Sequence, residues 1–263
     1  MPNALVIRAA GTNCDAELVR AFTMAGAPAQ TIHLDLLAAE PNRLDDYDIV
    51  GFPGGFSYGD DIASGRIFAM RARERLYPAL RSAIDRGCPI IGVCNGFQVL
   101  VQVGLLPGPA AEWPTDRAPQ QTVALTENIG ARFVDRWVGV RPDPSSRCIW
   151  TRGLTPDEDL LQLPVAHGEG RFIAASAAML KELESRGQVA LRYTDNYNGS
   201  QNAIAGICDA SGRVFGLMPH PERYLDWTRH PYWTRLSGSS LRGVTPGLKI
   251  FQNAVEAVAK MPV

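Results

Sequence analysis

No apolar run in the 263 residues approaches the roughly 20 that a membrane-spanning helix needs. Charge of one sign is missing too. Acidic and basic side chains nearly cancel to a formal −1, which removes the global electrostatic case for nucleic acid or a membrane surface as partner. The five cysteines, Cys14, Cys88, Cys94, Cys148 and Cys208, are odd in number and include no C-x-x-C pair and no histidine spacing suited to zinc. Neither a disulfide framework nor a metal site is expected, and a reducing cytoplasm is. In that compartment Asn198-Gly199-Ser200 reads as a turn and not as a glycan acceptor. There is no G-x-x-x-x-G-K-[ST] loop and no helix-opening G-x-G-x-x-G, so no nucleotide cofactor is expected on this chain. Repeats and low-complexity tracts are absent as well.

What is present has the balance of an ordinary globular protein, 46% hydrophobic and 20% charged, at a length one core can fill. With no linker-like stretch, residues 1–263 are expected to form one domain. The opening MPNALVIRAAGTNCD reads as a strand and not as a signal peptide. Strands are expected at Ala4 to Ala9, Gln30 to Leu34, Asp48 to Gly54 and Pro89 to Cys94, with helices at Ala16 to Ala25 and Ile67 to Arg86 closed by Gly26 and Gly87. Consecutive apolar positions in those strands imply burial on both faces, hence a parallel sheet built from βαβ units. From Gln120 onward β segments dominate: TVALTE, FVDRWVGV, PVAHGEGRFIAA, QVALRYTD and a hairpin turning at Ala210-Ser211-Gly212. Helices at Ala175 to Arg186 and Leu248 to Lys260 complete an α/β fold.

The strongest chemical signal is Gly92-Val93-Cys94-Asn95-Gly96, between the apolar run Pro89-Ile90-Ile91 and the helical run FQVLVQV. This is the strand, sharp turn and helix of a nucleophile elbow, with cysteine where hydrolases place serine. A helix N-terminus behind the sulfur favours the thiolate. The nucleophile needs a base, and only four histidines are available. His33 lies among apolar neighbours in a strand and His230 in a loop. His220 stands in Met218-Pro219-His220-Pro221-Glu222, where residues two apart on an extended chain face one side and Glu222 can fix the imidazole tautomer.

Gly55, in Pro53-Gly54-Gly55-Phe56 at a strand end, can offer its N–H with that of Asn95 as an oxyanion hole, or simply make a turn. Gln98, one helical turn beyond Cys94, suits either recognition of an amino-acid substrate's polar end or a helix surface. His167-Gly168-Glu169-Gly170-Arg171 suits either binding of an α-amino or carboxylate group or a turn.

Taken together, PGGFSYGDD, GVCNGFQVL, PVAHGEGRF and GLMPHPER resemble the glutaminase subunits of phosphoribosylformylglycinamidine synthases, class I glutamine amidotransferases of purine biosynthesis. The resemblance runs from Val6 to the final helix. It implies a Rossmann-like domain, a largely parallel sheet flanked by helices with additional antiparallel strands. It further implies Cys94 as nucleophile, His220 as base and acid, Glu222 orienting it, Gly55 and Asn95 at the oxyanion hole, and Phe56, Gln98, His167 and Glu169 lining the site for L-glutamine. Ammonia would pass to a separate synthetase subunit carrying ATP and magnesium, often bridged by a third small subunit. One departure is Ala10, where the family usually has proline before Gly11-Thr12-Asn13-Cys14-Asp15.

Two other readings compete. One is a free-standing cysteine amidase or γ-glutamyl hydrolase of the same fold, against which FSYGDD and AHGEGRF speak. The other is a non-catalytic assembly subunit, which intact Cys94, His220 and Glu222 oppose. The aromatic and arginine-rich segment from Arg223 to Gly247 is expected to bind the synthetase, the alternative being that it folds back on its own chain.

Overall fold

Four apolar runs of the N-terminal part become strands: β1 (Ala4–Arg8), β2 (Ala29–His33), β3 (Ile49–Phe52) and β4 (Ile90–Val93). The computed structural model describes residues 1–109, 112–115, 117–155, 157, 160–238 and 241–260. Leu5, Val6, Ile7, Val50 and Ile91 are fully buried, as strands covered on both faces require. Each such side chain contributes about 1.5–3 kcal/mol of burial free energy.

Helix α1 (Asp15–Ala25) turns Leu18, Ala21 and Phe22 inward at helical spacing and ends at Gly26. Phe22 meets Phe251 edge-on at 5.3 Å, which docks α1 on the C-terminal helix. A short helix α2 (Leu34–Ala39) after β2 was not expected from the sequence. The expected helix from Ile67 to Arg86 is instead two, α3 (Arg66–Arg75) and α4 (Tyr77–Asp85). Pro78 has no N–H for the carbonyl of Glu74 and its ring crowds that carbonyl, so the first helix stops at Arg75. Helix α5 (Asn95–Val103) then leaves β4 directly.

The remaining strands are β5 (Val123–Glu127), β6 (Val134–Pro142), β7 (Gln162–His167), β8 (Glu169–Ala174), β9 (Val189–Tyr193), β10 (Ile204–Cys208) and β11 (Val214–Leu217). Helix α6 (Ala177–Ser185) precedes β9 and α7 (Pro246–Ala259) closes the order. PVAHGEGRFIAA, expected as one strand, is broken at Gly168 into β7 and β8, which pair with β6 and β5 respectively and lie in different sheets.

Nine strands form one mixed sheet in the order β2-β1-β3-β4-β11-β10-β9-β6-β7. Its pairings are parallel from β2 to β11 and antiparallel from β11 to β7. The expected α/β architecture is therefore present, and its parallel half matters most for chemistry. There β4 lies between β3 and β11, with Phe52 opposite Gly92 and Leu217 opposite Val93. Three neighbouring parallel strands thus end at one edge, where ligands of open α/β sheets bind. Among the described residues no helix is long and apolar enough to cross a membrane.

Candidate active site

The three strand ends deliver Gly54-Gly55, Cys94 and His220 to the same place. Cys94 leaves β4 at φ 51°, ψ −107°, a conformation that costs on the order of 1–3 kcal/mol and persists only where the surroundings enforce it. The enforcement is visible at Gly96, where a Cβ would overlap the carbonyl of Phe52 on β3. Only glycine lets α5 start so close to the sheet.

His220 Nδ1 lies 2.6 Å from Glu222 Oε1, both side chains being buried. Glu222 does not continue a strand: His220 is followed by a 3-10 turn, Pro221–Arg223, that folds the carboxylate back onto the ring. Burial alone would disfavour charge on His220. The Glu222 carboxylate and Cys94 outweigh it and hold the imidazole well above its ordinary pKa. Among the described residues Nε2 makes no hydrogen bond, and it is the nitrogen left for a proton from sulfur. The arrangement suits a thiolate nucleophile beside an imidazolium that can later return its proton.

Gly55 and Asn95 each adjoin one member of a close pair, since a Cβ on Gly54 would lie 3.4 Å from Cys94 Cβ. Among the described residues neither backbone N–H donates to an acceptor within the chain. The Asn95 side chain is fixed separately: Oδ1 accepts from the Ser57 hydroxyl at 2.6 Å, and Nδ2 donates to Gln98 Oε1 at 3.0 Å and Asp60 Oδ1 at 3.2 Å. Burial raises the pKa of Asp60 despite hydrogen bonds from Gly65, Ser64 and Asn95 that oppose the rise.

Gln98 is buried, not a helix-surface residue, and its Nε2 donates to the carbonyl of Glu169. This bond joins α5 to the start of β8. Glu169 Oε2 accepts from the Ser64 N–H at 3.3 Å. His167 is buried with Nε2 2.7 Å from the Tyr197 hydroxyl, and a Cβ on Gly170 would overlap its ring, which explains the second glycine of this motif. Burial, and then positive charge on His220, pushes the His167 pKa down to about 4, so the ring is neutral. Phe56 is 45% exposed and stacks on Phe133 at 6.3 Å, at the rim and not the floor.

Several residues here carried no sequence signal. Tyr193 and Tyr197 meet edge-on at 5.0 Å, and burial raises both hydroxyl pKa values, with Cys94 a further contributor. Tyr197 sits in what read as a plain turn, YNGS. Arg136 lies 4.9 Å over its ring. Cys14 and Arg223 also reach the site, the Arg223 guanidinium donating to Cys14 Sγ at 3.2 Å.

The segment from Arg223 to Gly247 divides, with Ser239 and Ser240 outside the described residues. Tyr224 is fully buried and packs edge-on against Trp137 at 5.3 Å, and Trp227 packs on Tyr224 with Nε1 donating to the Gly243 carbonyl. That half folds back on its own chain, contrary to the expectation. Tyr232 and Trp233 remain 51% and 43% exposed.

The chain matches the model of the CobB/CobQ-like glutamine amidotransferase domain over residues 1–258. It is 42% identical to the phosphoribosylformylglycinamidine synthase subunit PurQ of Dehalococcoides mccartyi over 96% of each chain. Identity to the same subunit of Mycobacterium tuberculosis is 40%, again over 96% of each. Among solved structures, that of PurLQS from Thermotoga maritima superposes with a TM-score of 0.72 at 31% identity, covering 97% of this chain and 98% of that one.

Proposed function

The chain belongs to the CobB/CobQ-like glutamine amidotransferase domain family, and we propose that it is the glutaminase subunit of phosphoribosylformylglycinamidine synthase, an enzyme taking ammonia from L-glutamine for a synthetase partner. Full-length likeness to subunits of that name supports the assignment. The observation that carries the chemistry is the strained Cys94 turn beside a His220 whose Nδ1 is fixed by Glu222 at 2.6 Å.

In this reading Cys94 sulfur attacks the side-chain carbonyl carbon of glutamine, and the N–H groups of Gly55 and Asn95 hold the oxyanion. His220 gives its proton to the departing nitrogen, so the C–N bond breaks and ammonia leaves a γ-glutamyl thioester. Water then adds to the thioester, His220 taking its proton, and the C–S bond breaks to release glutamate. Phe56, Gln98, His167 and Glu169 shape the glutamine site. Gln98 acts by holding the Glu169 turn as well as by its own remaining hydrogen-bonding capacity.

Ammonia passes to the synthetase, where ATP and magnesium drive conversion of formylglycinamide ribonucleotide to the amidine. A small bridging subunit and a cytoplasmic location complete the proposal. The test reconstitutes the complex and supplies either glutamine or ammonia. Cys94→Ala is expected to abolish glutamine-dependent synthesis and to spare ammonia-dependent synthesis. Equal loss with both nitrogen sources sinks the division of labour, and a partner-independent amidase activity points to a free-standing hydrolase.

A further inference from the structure

The loop after β1 runs Gly11-Thr12-Asn13-Cys14, at the point where β1 has one neighbour in β2 and the other in β3. It is laced to the glycine strand end. The Phe56 N–H donates to the Gly11 carbonyl at 3.1 Å, the Cys14 N–H donates to the Gly54 carbonyl at 3.3 Å, and Thr12 bridges Gly55. Cys14 is buried, and its thiol donates to Asn13 Oδ1 at 3.4 Å.

That thiol meets the catalytic histidine. A Cβ on Gly54 would lie 2.7 Å from His220 Cε1 and 3.4 Å from both Cys14 Sγ and Cys94 Cβ, so all three side chains close on one backbone position. Cys14 Sγ, a ring nitrogen of His220 and a carboxylate oxygen of Glu222 lie within 4.8 Å of one another. On its far side the sulfur accepts from Arg223 Nη2 at 3.2 Å, and Arg223 Nε donates to Glu17 Oε2 on α1 at 3.1 Å. The Arg223 N–H donates to the His220 carbonyl at 3.2 Å, so the arginine belongs to the same turn as the histidine.

The three donors would otherwise pass for a metal cluster. A guanidinium in hydrogen-bond reach of the sulfur places fixed positive charge beside these donors, which disfavours a cation there, and the cluster is better explained as a clamp.

We infer that Cys14 is a positioning residue for the glutaminase reaction: clamped by Arg223, its thiol seats the His220 ring against the Gly54-Gly55 strand end. The proposal rests on the functional reading above. Glu222 fixes one ring nitrogen and leaves the ring free to swing about that bond. A bulky, polarisable atom at the ring's edge removes the swing and sets the ring relative to the oxyanion N–H of Gly55. Sulfur suits this place because it fills more volume than a hydroxyl and makes weaker hydrogen bonds, so it holds the ring chiefly by contact and favours its charged form less than Glu222 and Cys94 do.

The experiment compares wild type, Cys14→Ala, Cys14→Ser and Arg223→Gln in the reconstituted complex. Measured are kcat and KM for glutamine, the ammonia-dependent rate, the melting temperature, and the pH dependence of Cys94 alkylation by a glutamine-like electrophile. A misplaced general base costs on the order of tenfold to a hundredfold in rate. Cys14→Ala is expected to lose that much in kcat with KM within about threefold, to shift the pH midpoint of Cys94 alkylation, and to keep the ammonia-dependent rate. Cys14→Ser should recover part of kcat, and Arg223→Gln, which loosens the clamp but leaves the sulfur beside the ring, should reproduce a smaller loss in a fold left intact. Unchanged kcat and alkylation midpoint in Cys14→Ala overturn the inference. So does a loss that follows melting temperature while the midpoint stays put. If Cys14→Ala does not fold, wild-type behaviour of Arg223→Gln overturns it alone. A wild-type complex without glutamine-dependent synthesis overturns the functional reading instead.

Discussion

The N–H of Cys94 donates to the carbonyl of Leu217 at 2.8 Å, tying the nucleophile's turn to the strand that carries His220 three residues further on. The distance between nucleophile and base is therefore set by sheet registry and not by loops. Disturbing that registry should act on chemistry and stability together.

Gly96→Ala is the sharpest such disturbance, since the added methyl overlaps the Phe52 carbonyl of the neighbouring strand. A loss of about 2–4 kcal/mol in stability is expected, together with loss of Cys94 alkylation by a glutamine-like electrophile. Denaturant unfolding and labelling mass spectrometry measure the two. Normal labelling in a stable variant would show that β3 and α5 can separate without harm to the site.

His220→Ala should cost at least about 10³-fold in glutaminase rate, nearly as much as Cys94→Ala, because it removes the imidazole paired with Cys94, and the Ala166 carbonyl 3.8 Å from Cys94 Sγ cannot act as a base. Glu222→Gln should be about tenfold milder, since the 3-10 turn Pro221–Arg223 and the surrounding burial continue to orient the ring. Steady-state glutamine hydrolysis decides this. A Glu222→Gln enzyme worse than His220→Ala contradicts the assigned roles.

His167 predicts an acid limb in stability. Its folded pKa is pushed down to about 4 from an ordinary 6.5, so between those values the unfolded chain carries a proton that the folded chain does not. Stability then rises with pH across the window, is complete above it, and falls by about 3 kcal/mol by the time the pH reaches the lower value. His220 works in the opposite sense: its raised pKa gives stability present at low pH and lost as pH rises through the folded value. Melting curves of His167→Asn should show the acid limb flattened. An unchanged limb would assign it to other groups.

Tyr224 and the pair Tyr232 and Trp233 should separate fold from partner binding. Tyr224→Ala empties a fully buried aromatic site and should cost about 3–5 kcal/mol. Tyr232→Ala with Trp233→Ala removes half-exposed rings, should change stability by less than about 1 kcal/mol, and should weaken binding of the synthetase at least tenfold. Paired melting and affinity measurements test both. Unaltered affinity would move the docking surface elsewhere.

Cys94 is 5% exposed and His220 and Glu222 less, so the triad is covered in the chain by itself. Slow glutamine hydrolysis by the free subunit and a rise of about tenfold or more on adding the synthetase are expected, the partner supplying the energy to open and complete the site. Fast hydrolysis that assembly leaves unaltered would contradict this.

What could be read ahead of the structure, and what could not, follows from where each constraint acts. Cys94 was legible because Gly92 and Gly96 report a local steric demand in five consecutive residues. His220 and Glu222 were legible once a cysteine needed a base and only four histidines existed. The break at Pro78 had a local cause and could have been found. The place of Cys14 could not, because it depends on β1 lying beside β3, a pairing between residues over forty apart in sequence. Tyr193 and Tyr197 were hidden for the same reason, and the inward turn of Tyr224 depends on Trp137 from the distant strand β6.

The position of β11 between β4 and β10 has a consequence for synthesis of the chain. Until Val214–Leu217 leaves the ribosome, β4 is an unpaired edge bearing the thiol without its base, and every earlier length of chain is silent toward glutamine. The last strand of the sheet therefore acts as a safeguard in time. Nascent or prematurely ended chains release no ammonia, and the open edge they expose marks them for aggregation or removal before they can dock on a synthetase.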